Sequence, residues 1–71
     1  MSNALIGQRL RELRGDTPRA EVAEAVGISI SALTMYETGQ RIPRDQIKVK
    51  LAEFYNSTVQ DIFFNPELHE L

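Results

Sequence analysis

The sequence predicts an all-α protein, a compact domain built from five short helices. Two observations lead to this prediction: apolar residues recur at spacings of three and four, and single Gly, Pro and Asn residues separate the apolar segments. A chain of 71 residues, 42% hydrophobic and 25% charged, has the size and composition of one globular unit. We therefore expect a single domain over residues 1–71, with its core in 4–64 and a tail in 65–71.

The first predicted helix covers residues 3–14. Ile6, Leu10 and Leu13 recur at helical spacing and predict its buried face, whereas Arg9 and the other charged residues fall elsewhere on its surface. The glycine that follows predicts the end of the helix. We expect this helix to pack against the rest of the domain through its apolar stripe.

Two short helices follow, separated by Gly27. Thr17 is predicted to cap the second helix with its hydroxyl group, while Pro18 occupies the first helical position. Gly27 is predicted to end that helix because glycine adopts a left-handed backbone without a steric penalty. Ser29 is predicted to cap the third helix, which runs to about Thr38.

A fourth helix is predicted over residues 44–55, with a brief fifth helix after it. The buried side of the fourth helix is expected to carry Ile47, Leu51, Ala52, Phe54 and Tyr55. Val49 is left partly exposed in this assignment. Thr58, followed three positions later by Asp61, predicts the start of the fifth helix, which ends at about residues 63–64.

The composition argues against several classes of function. The chain has no cysteine and no cluster with metal-ligand spacing, so no disulfide framework, metal site or other cofactor is expected. Its one histidine, His69, lies in the predicted tail without a positioned partner, so catalytic residues and enzymatic activity are not expected. Neither a secretory signal nor a long apolar run is present, which predicts a cytoplasmic protein without a membrane partner.

Charge is unevenly distributed along the chain, although the formal total is only −2. Eight basic and six acidic residues lie at or before Lys50, and four acidic residues without any Lys or Arg follow it. Binding to phosphates depends on the face that a protein presents rather than on its total charge. The basic part of the chain is therefore compatible with nucleic acid, although scattered surface charges explain the same pattern.

The turn at Gly27 and its flanking helices have the form of a helix-turn-helix. Ile28 is expected to fill the space beneath the turn, and Leu33 and Tyr36 to point from the third helix into the core. The opposite side of the third helix then faces outward, as required of a helix that enters a DNA major groove. This outward side carries Ile30, Ser31, Thr34 and Met35.

The segment AEVAEAVGISISALTMYETGQRIPRD, residues 20–45, resembles the Cro and phage-repressor type of helix-turn-helix regulator, also called the xenobiotic-response-element (XRE) family. The resemblance covers about residues 6–63, and its motifs are Val22-Ala23-Glu24, Gly27-Ile28-Ser29, Tyr36-Glu37-x-Gly39, Ile42-Pro43 and Asp61-Ile62-Phe63. It implies a compact, five-helix, lambda-repressor-like DNA-binding domain. It also implies a transcriptional regulator, expected to act as a repressor, that binds a palindromic double-stranded DNA operator as a homodimer.

The resemblance assigns DNA-contacting roles to individual residues. Ile30, Ser31 and Met35 match base-facing positions, and Thr34 shares their side of the helix. The residues that match contacts to the DNA backbone are Arg19, Gln40, Arg41 and Arg44. Facing DNA, Ile30 and Met35 are expected to contact thymine methyl groups, while Ser31 and Thr34 offer hydrogen bonds. Ile30 stands where the family usually has a polar residue, which argues against hydrogen-bonded readout there.

The resemblance also marks residues with a structural role. Gly27 forms the turn between the two helices of the motif. Glu37 matches an acidic residue that pairs with an arginine of the first helix, and both Arg14 and Arg11 are candidates for that arginine. We expect Glu37 to stabilise the scaffold rather than to contact DNA, because an unpaired carboxylate repels phosphate.

Each functional assignment has an alternative. Ile30 and Met35 also suit a buried position or a protein interface, and the two arginines after the third helix also suit a plain solvated surface. The alternative function is a protein-interaction module of the same fold, such as an antitoxin or a domain that binds a regulatory protein partner. Contacts for the homodimer are expected from the fourth and fifth helices, with Leu68 and Leu71 of the tail as further candidates.

Overall fold

The computed structural model describes residues 2–64, which form four α-helices and a short π-helix. The elements are α1 (Asn3–Arg14), α2 (Arg19–Val26), α3 (Ile30–Glu37), α4 (Asp45–Phe54) and the π-helix (Gln60–Phe64). No strand occurs among residues 2–64, which confirms the predicted all-α class and its five helical elements. Within the same residues, no helix is long and apolar enough to cross a membrane. The predicted tail contacts of Leu68 and Leu71 lie outside the described residues.

Side-chain caps fix the start of two helices where the sequence predicted them. The hydroxyl oxygen of Ser29 accepts a hydrogen bond from the Ala32 amide at 2.9 Å and begins α3. The hydroxyl oxygen of Thr58 likewise accepts from the Asp61 amide at 3.0 Å at the start of the π-helix. Each bond satisfies an amide that has no partner within its own helix. Both predicted caps are therefore confirmed.

The predicted start of α2 is wrong by one residue. The N-cap is Pro18, whose φ of −60° and ψ of 141° are extended, and no side chain caps the helix. The Pro18 carbonyl accepts from the Val22 amide at 3.4 Å, so the helix begins after the proline. The Thr17 carbonyl accepts a hydrogen bond at 3.0 Å from Nη1 of Arg14. The backbone of Pro18, rather than the Thr17 hydroxyl, therefore starts the helix at Arg19.

The hydrophobic core lies between α3 and the elements around it. α3 packs against α1 and α2, while α4 packs against α2 and the π-helix packs against α1. Ile28 lies partly buried against the core, as expected for the residue beneath the turn. The buried core cluster consists of Ile6, Leu10, Val22, Val26, Leu33, Tyr36, Leu51, Ala52, Ile62 and Phe63.

The buried face of α1 differs from the predicted one. Leu13 is 41% exposed, because in the last turn of α1 it is Arg14 that faces the neighbouring helices. Arg9, expected on the polar side, is only 4% exposed. Its Nη1 donates to the carbonyl oxygens of Asp61 at 2.8 Å and Ile62 at 3.1 Å. Asp61 and Ile62 are the second and third residues of the π-helix, so Arg9 joins α1 to the middle of this short helix.

The buried face of α4 also needs one correction. Phe54 was expected in the core, but 37% of its surface is exposed. Val49 was expected to be partly exposed, and 47% of its surface is exposed. Leu51 and Tyr55 are one turn apart and share the buried stripe, so Phe54 is turned roughly 100° away from Tyr55. The two rings contact each other edge to face, with centroids 5.2 Å apart. Phe54 therefore covers the rim of the core instead of filling it.

The closest approach between α1 and α3 occurs at Gly7. An ideal Cβ added to this buried glycine comes 2.4 Å from the carbonyl oxygen of Glu37 and 2.9 Å from that of Tyr36. Both obstacles are backbone atoms, which cannot rotate away as a side chain can. The absence of a side chain at Gly7 therefore sets the distance between α1 and the C-terminal end of α3.

We predict that Gly7→Ala lowers the free energy of unfolding by about 1–3 kcal/mol, because the methyl group forces α1 and α3 apart. The loss should occur even though alanine favours the helical backbone by about 1 kcal/mol over glycine. Equilibrium denaturation in urea measures it. Gln8→Ala is the control, since Gln8 is exposed on the same helix and its change should stay within about 0.5 kcal/mol. Equal stabilities of the two variants would contradict the prediction.

Candidate nucleic-acid interface

The turn between α2 and α3 depends on the backbone of Gly27. Its φ of 83° and ψ of 35° are left-handed, and an added Cβ would meet nothing within 4 Å. Glycine is therefore required there for its conformation and not for space. The amides of Gly27 and Ile28 both donate to the Ala23 carbonyl at 2.9 Å, which ends α2 and turns the chain toward α3. The predicted glycine turn is confirmed.

The helix α3 has a buried side and an accessible side. Leu33, Tyr36 and Glu37 are buried, with exposed fractions of 0%, 6% and 1%. On the accessible side, Ile30 is 50% exposed and Ser31 is also exposed. Thr34 and Met35, which share this side, are partly buried. The four residues predicted to face bases therefore lie together at the surface of α3, and we call them the α3 face.

Hydrogen bonds hold the C-terminal end of α3 and the loop after it. The Thr38 hydroxyl donates to the Thr34 carbonyl at 2.8 Å and accepts from Nε2 of Gln40 at 2.9 Å. The amides of Gln40 and Arg41 both approach the Met35 carbonyl, at 2.9 and 3.3 Å. Gln40 and Arg41, which were predicted to contact the DNA backbone, are thus fixed beside the α3 face. Thr38 was not among the predicted site residues; its hydroxyl group links the last turn of α3 to the side chain of Gln40.

Arg41 and Arg44 are both exposed and lie on the wall of one shallow cavity. This cavity has a volume of about 240 Å³ and opens between the loop and the start of α4. Its remaining lining comes from Ile28, Tyr36, Ile42, Gln46 and Ile47. The two guanidinium groups therefore border the surface that runs from the end of α3 to α4.

A buried carboxylate joins the three helices of the interface. Glu37, whose side chain is fully buried, receives two hydrogen bonds from Arg14: Nε to Oε2 at 2.7 Å and Nη2 to Oε1 at 3.1 Å. Arg19 adds a third, from Nε to Oε1 at 2.9 Å. Of the two candidate partners on α1, the structure thus pairs Arg14 with Glu37, while Arg11 is exposed.

The pairing of Arg19 with Glu37 is a feature that the sequence analysis missed. Arg19 was expected to contact the DNA backbone, and its side chain remains 36% exposed while it binds the carboxylate. The two residues are 18 positions apart, so no helical spacing relates them. Only the packing of α2 against α3 brings Arg19 to this carboxylate, and the DNA contact remains a prediction.

Two neighbours of Glu37 have shifted pKa values. The hydrogen bonds from Arg14 to Glu37 raise the pKa of Arg14, against the lowering effect of burial. Burial raises the pKa of Tyr55 to about 12, and the nearby charge of Glu37 adds to this effect. Arg14 therefore stays charged and Tyr55 stays neutral at neutral pH, so that only fixed charges surround the carboxylate.

Lys48 does not belong to the accessible basic surface. Its side chain is only 13% exposed, with Nζ 3.6 Å from an Asp45 carboxylate oxygen. The same Nζ lies 5.6 Å from the ring centroid of Phe63 and 4.9 Å from that of Phe64, within range of a cation–π interaction. Lys48 therefore stabilises the contact between α4 and the π-helix. The exposed basic residues are Arg11, Arg41, Arg44 and Lys50.

This protein is a helix-turn-helix domain, because a short helix and a glycine turn are followed by a second helix with one accessible side. The comparisons with known proteins agree with this class. A family model described as Helix-turn-helix matches residues 8–62. The chain belongs to this XRE-type helix-turn-helix family of DNA-binding transcriptional regulators.

A solved structure extends the match to the arrangement of the helices. It is the restriction-modification controller protein C.AhdI from Aeromonas hydrophila, which is 30% identical to this chain. The similarity has a TM-score of 0.78 and covers 86% of this chain and 96% of that one. No protein of curated function matches the chain significantly. The lambda-repressor-like fold predicted from the sequence is thus confirmed by both the family and the structural match.

We predict that Arg14→Ala lowers the free energy of unfolding by about 3 kcal/mol, because it leaves a buried carboxylate with one partner. Arg19→Ala should cost about 1 kcal/mol or less, since that side chain is partly solvated. Arg11→Ala, which removes the same charge from an exposed position, should change stability by less than about 0.5 kcal/mol. Denaturant titration of the three variants measures this order. Equal losses for Arg14 and Arg11 would show that the buried pair does not stabilise the fold.

Proposed function

We propose that this regulator binds double-stranded DNA sequence-specifically by placing the α3 face in the major groove. The observation that carries the proposal is the division of α3 into a buried side, held by Glu37, and an accessible side. A helix held in this way can enter a groove about 12 Å wide without disturbing the core. Ile30, Ser31, Thr34 and Met35 are the residues proposed to face the bases.

The residues proposed to contact the DNA backbone lie near the C-terminal end of α3. Gln40 and Arg41 follow the α3 face directly, and Arg44 precedes α4. Arg19 lies at the start of α2, where its exposed part remains available to a phosphate. Phosphate contacts position a reading helix, while contacts with base edges provide sequence specificity. The arrangement supports both kinds of contact.

We further propose that the protein acts as a homodimeric repressor on a palindromic operator. A two-fold dimer places its reading helices about 34 Å apart, one turn of B-DNA. α4 and the π-helix leave Val49, Phe54 and Phe64 exposed by 47%, 37% and 53%, which supports a protein contact there. Repression requires only that the bound dimer occupies promoter DNA. The similarity to a controller protein supports a regulatory role of this kind.

We predict that DNA affinity falls steeply with salt. Each protomer has three arginines at the proposed interface, Arg19, Arg41 and Arg44, so a dimer neutralises about six phosphates. The expected slope of log affinity against log salt concentration is therefore roughly −5. Arg41→Ala should reduce the slope by about two units in the dimer, one for each lost contact. Fluorescence anisotropy with a duplex selected from a random pool measures the slope. Arg11→Ala is the charge-matched control and should leave it unchanged.

A salt-independent affinity, or the absence of duplex binding, would instead favour the protein-interaction module. In that case the α3 face would be available for a protein partner such as a toxin. An equal effect of Arg41→Ala and Arg11→Ala would also contradict the proposed interface, because it would show that the effect depends on total charge and not on position.

We predict that Val49→Asp weakens the homodimer by on the order of 100-fold, because it places an unpaired charge in an apolar contact. Sedimentation velocity over a range of protein concentrations measures the dissociation constant. Ala25→Asp adds the same charge at an exposed position of α2 and should leave the dimer intact. A wild-type chain that stays monomeric at micromolar concentration would refute this part of the proposal.

A further inference from the structure

The α3 face has few hydrogen-bonding groups available for bases. The Thr34 hydroxyl donates to the Ile30 carbonyl at 3.0 Å, one turn earlier in the same helix. Its proton is therefore already used, and the oxygen retains only the capacity to accept. Ser29, next to the face, uses its hydroxyl oxygen to cap α3. Ser31 is then the one residue of the α3 face whose hydroxyl combines exposure with freedom from these internal bonds.

The rest of the α3 face is apolar. Ile30, in the first turn, is 50% exposed, the second highest value among the exposed large apolar residues of the described chain. Met35 lies further along, and its backbone carbonyl is the anchor for the loop that follows. Residues four apart are neighbours on a helix, so Ile30 lies beside Thr34, and Ser31 beside Met35. The protein thus presents an aliphatic projection with one free hydroxyl next to it.

In the major groove, the complement to an aliphatic projection is the 5-methyl group of a pyrimidine. Every other base-edge group in that groove is a hydrogen-bond donor or acceptor, apart from ring carbon positions, and would lose its water against Ile30 without replacement. We propose that Ile30 recognises a pyrimidine 5-methyl group and thereby determines part of the sequence specificity. This inference deepens the proposed DNA-binding function and depends on it.

One consequence separates this readout from hydrogen-bonded recognition of a base. Thymine and 5-methylcytosine carry the same methyl group at the same ring position, whereas their other major-groove groups differ. A contact through Ile30 responds to the methyl group in both bases. Methylation of a cytosine at that position therefore strengthens binding, whereas a donor or acceptor contact would gain nothing from it.

The test uses the full chain and a duplex selected from a random pool by that chain. At each thymine of a half-site, two matched pairs are compared: thymine against deoxyuridine, and 5-methylcytosine against cytosine, each opposite its proper partner. Members of a pair differ by the methyl group alone. At the contacted position we expect the methyl group to tighten binding about fourfold in both pairs, and about 16-fold when both half-sites are changed.

Variants assign the methyl effect to a residue. In Ile30→Ala the difference between the members of each pair should fall to less than about twofold. Ser31→Ala should retain it. Because Ile30 is half exposed, these variants should fold, which circular dichroism checks. A selected half-site without thymine, no methyl effect at any thymine, or the same effect in Ile30→Ala would each overturn the inference while DNA binding itself persists. A chain that binds no duplex would overturn the proposed function together with the inference.

Discussion

The position of α3 depends on the buried carboxylate of Glu37. This carboxylate is part of the last turn of α3, and it is bound by Arg14 from the end of α1 and Arg19 from the start of α2. A fully buried carboxylate is costly unless charged partners replace its water, so the three helices are held together by the requirement to keep that pairing. The same contact that stabilises the core therefore also fixes the direction in which α3 projects.

Contacts at both ends of α3 add to the effect of the Glu37 carboxylate on its position. At the C-terminal end of α3, Gly7 lets α1 approach the carbonyl of Glu37, and at the N-terminal end the Gly27 turn and the Ser29 cap fix the first turn. Both ends of α3 are thus held by groups with little freedom to rearrange. A helix fixed in this way loses little conformational entropy on binding, which leaves more of the contact energy for affinity and specificity.

The distribution of basic side chains shows how the domain combines stability with DNA binding at a formal charge of −2. Arg9, Arg14 and Lys48 are largely buried and bind carbonyls, a carboxylate and aromatic rings, so their charges serve the fold. Arg41 and Arg44 are exposed next to α3. In the proposed interface few cations are available to phosphates, so contacts of the α3 face supply a larger share of the binding energy. Two of the four residues of this face, Ile30 and Met35, are apolar, which is consistent with the proposed recognition of methyl groups in the groove.

The helices, the glycine turn, the Ser29 cap and the outward side of α3 could be predicted from the local pattern of residues. These features follow from backbone preferences and hydrogen bonds between residues a few positions apart, which act before any tertiary contact forms. The packing of the helices buries Arg9, brings Arg19 to Glu37 and leaves Phe54 outside the core, and none of these three features was predictable from the local pattern. The hydrogen bonds of Arg9 span 52 and 53 residues, so the local pattern carries no information about them. Long polar side chains depend on what packs over them, and that is set by the complete arrangement of helices.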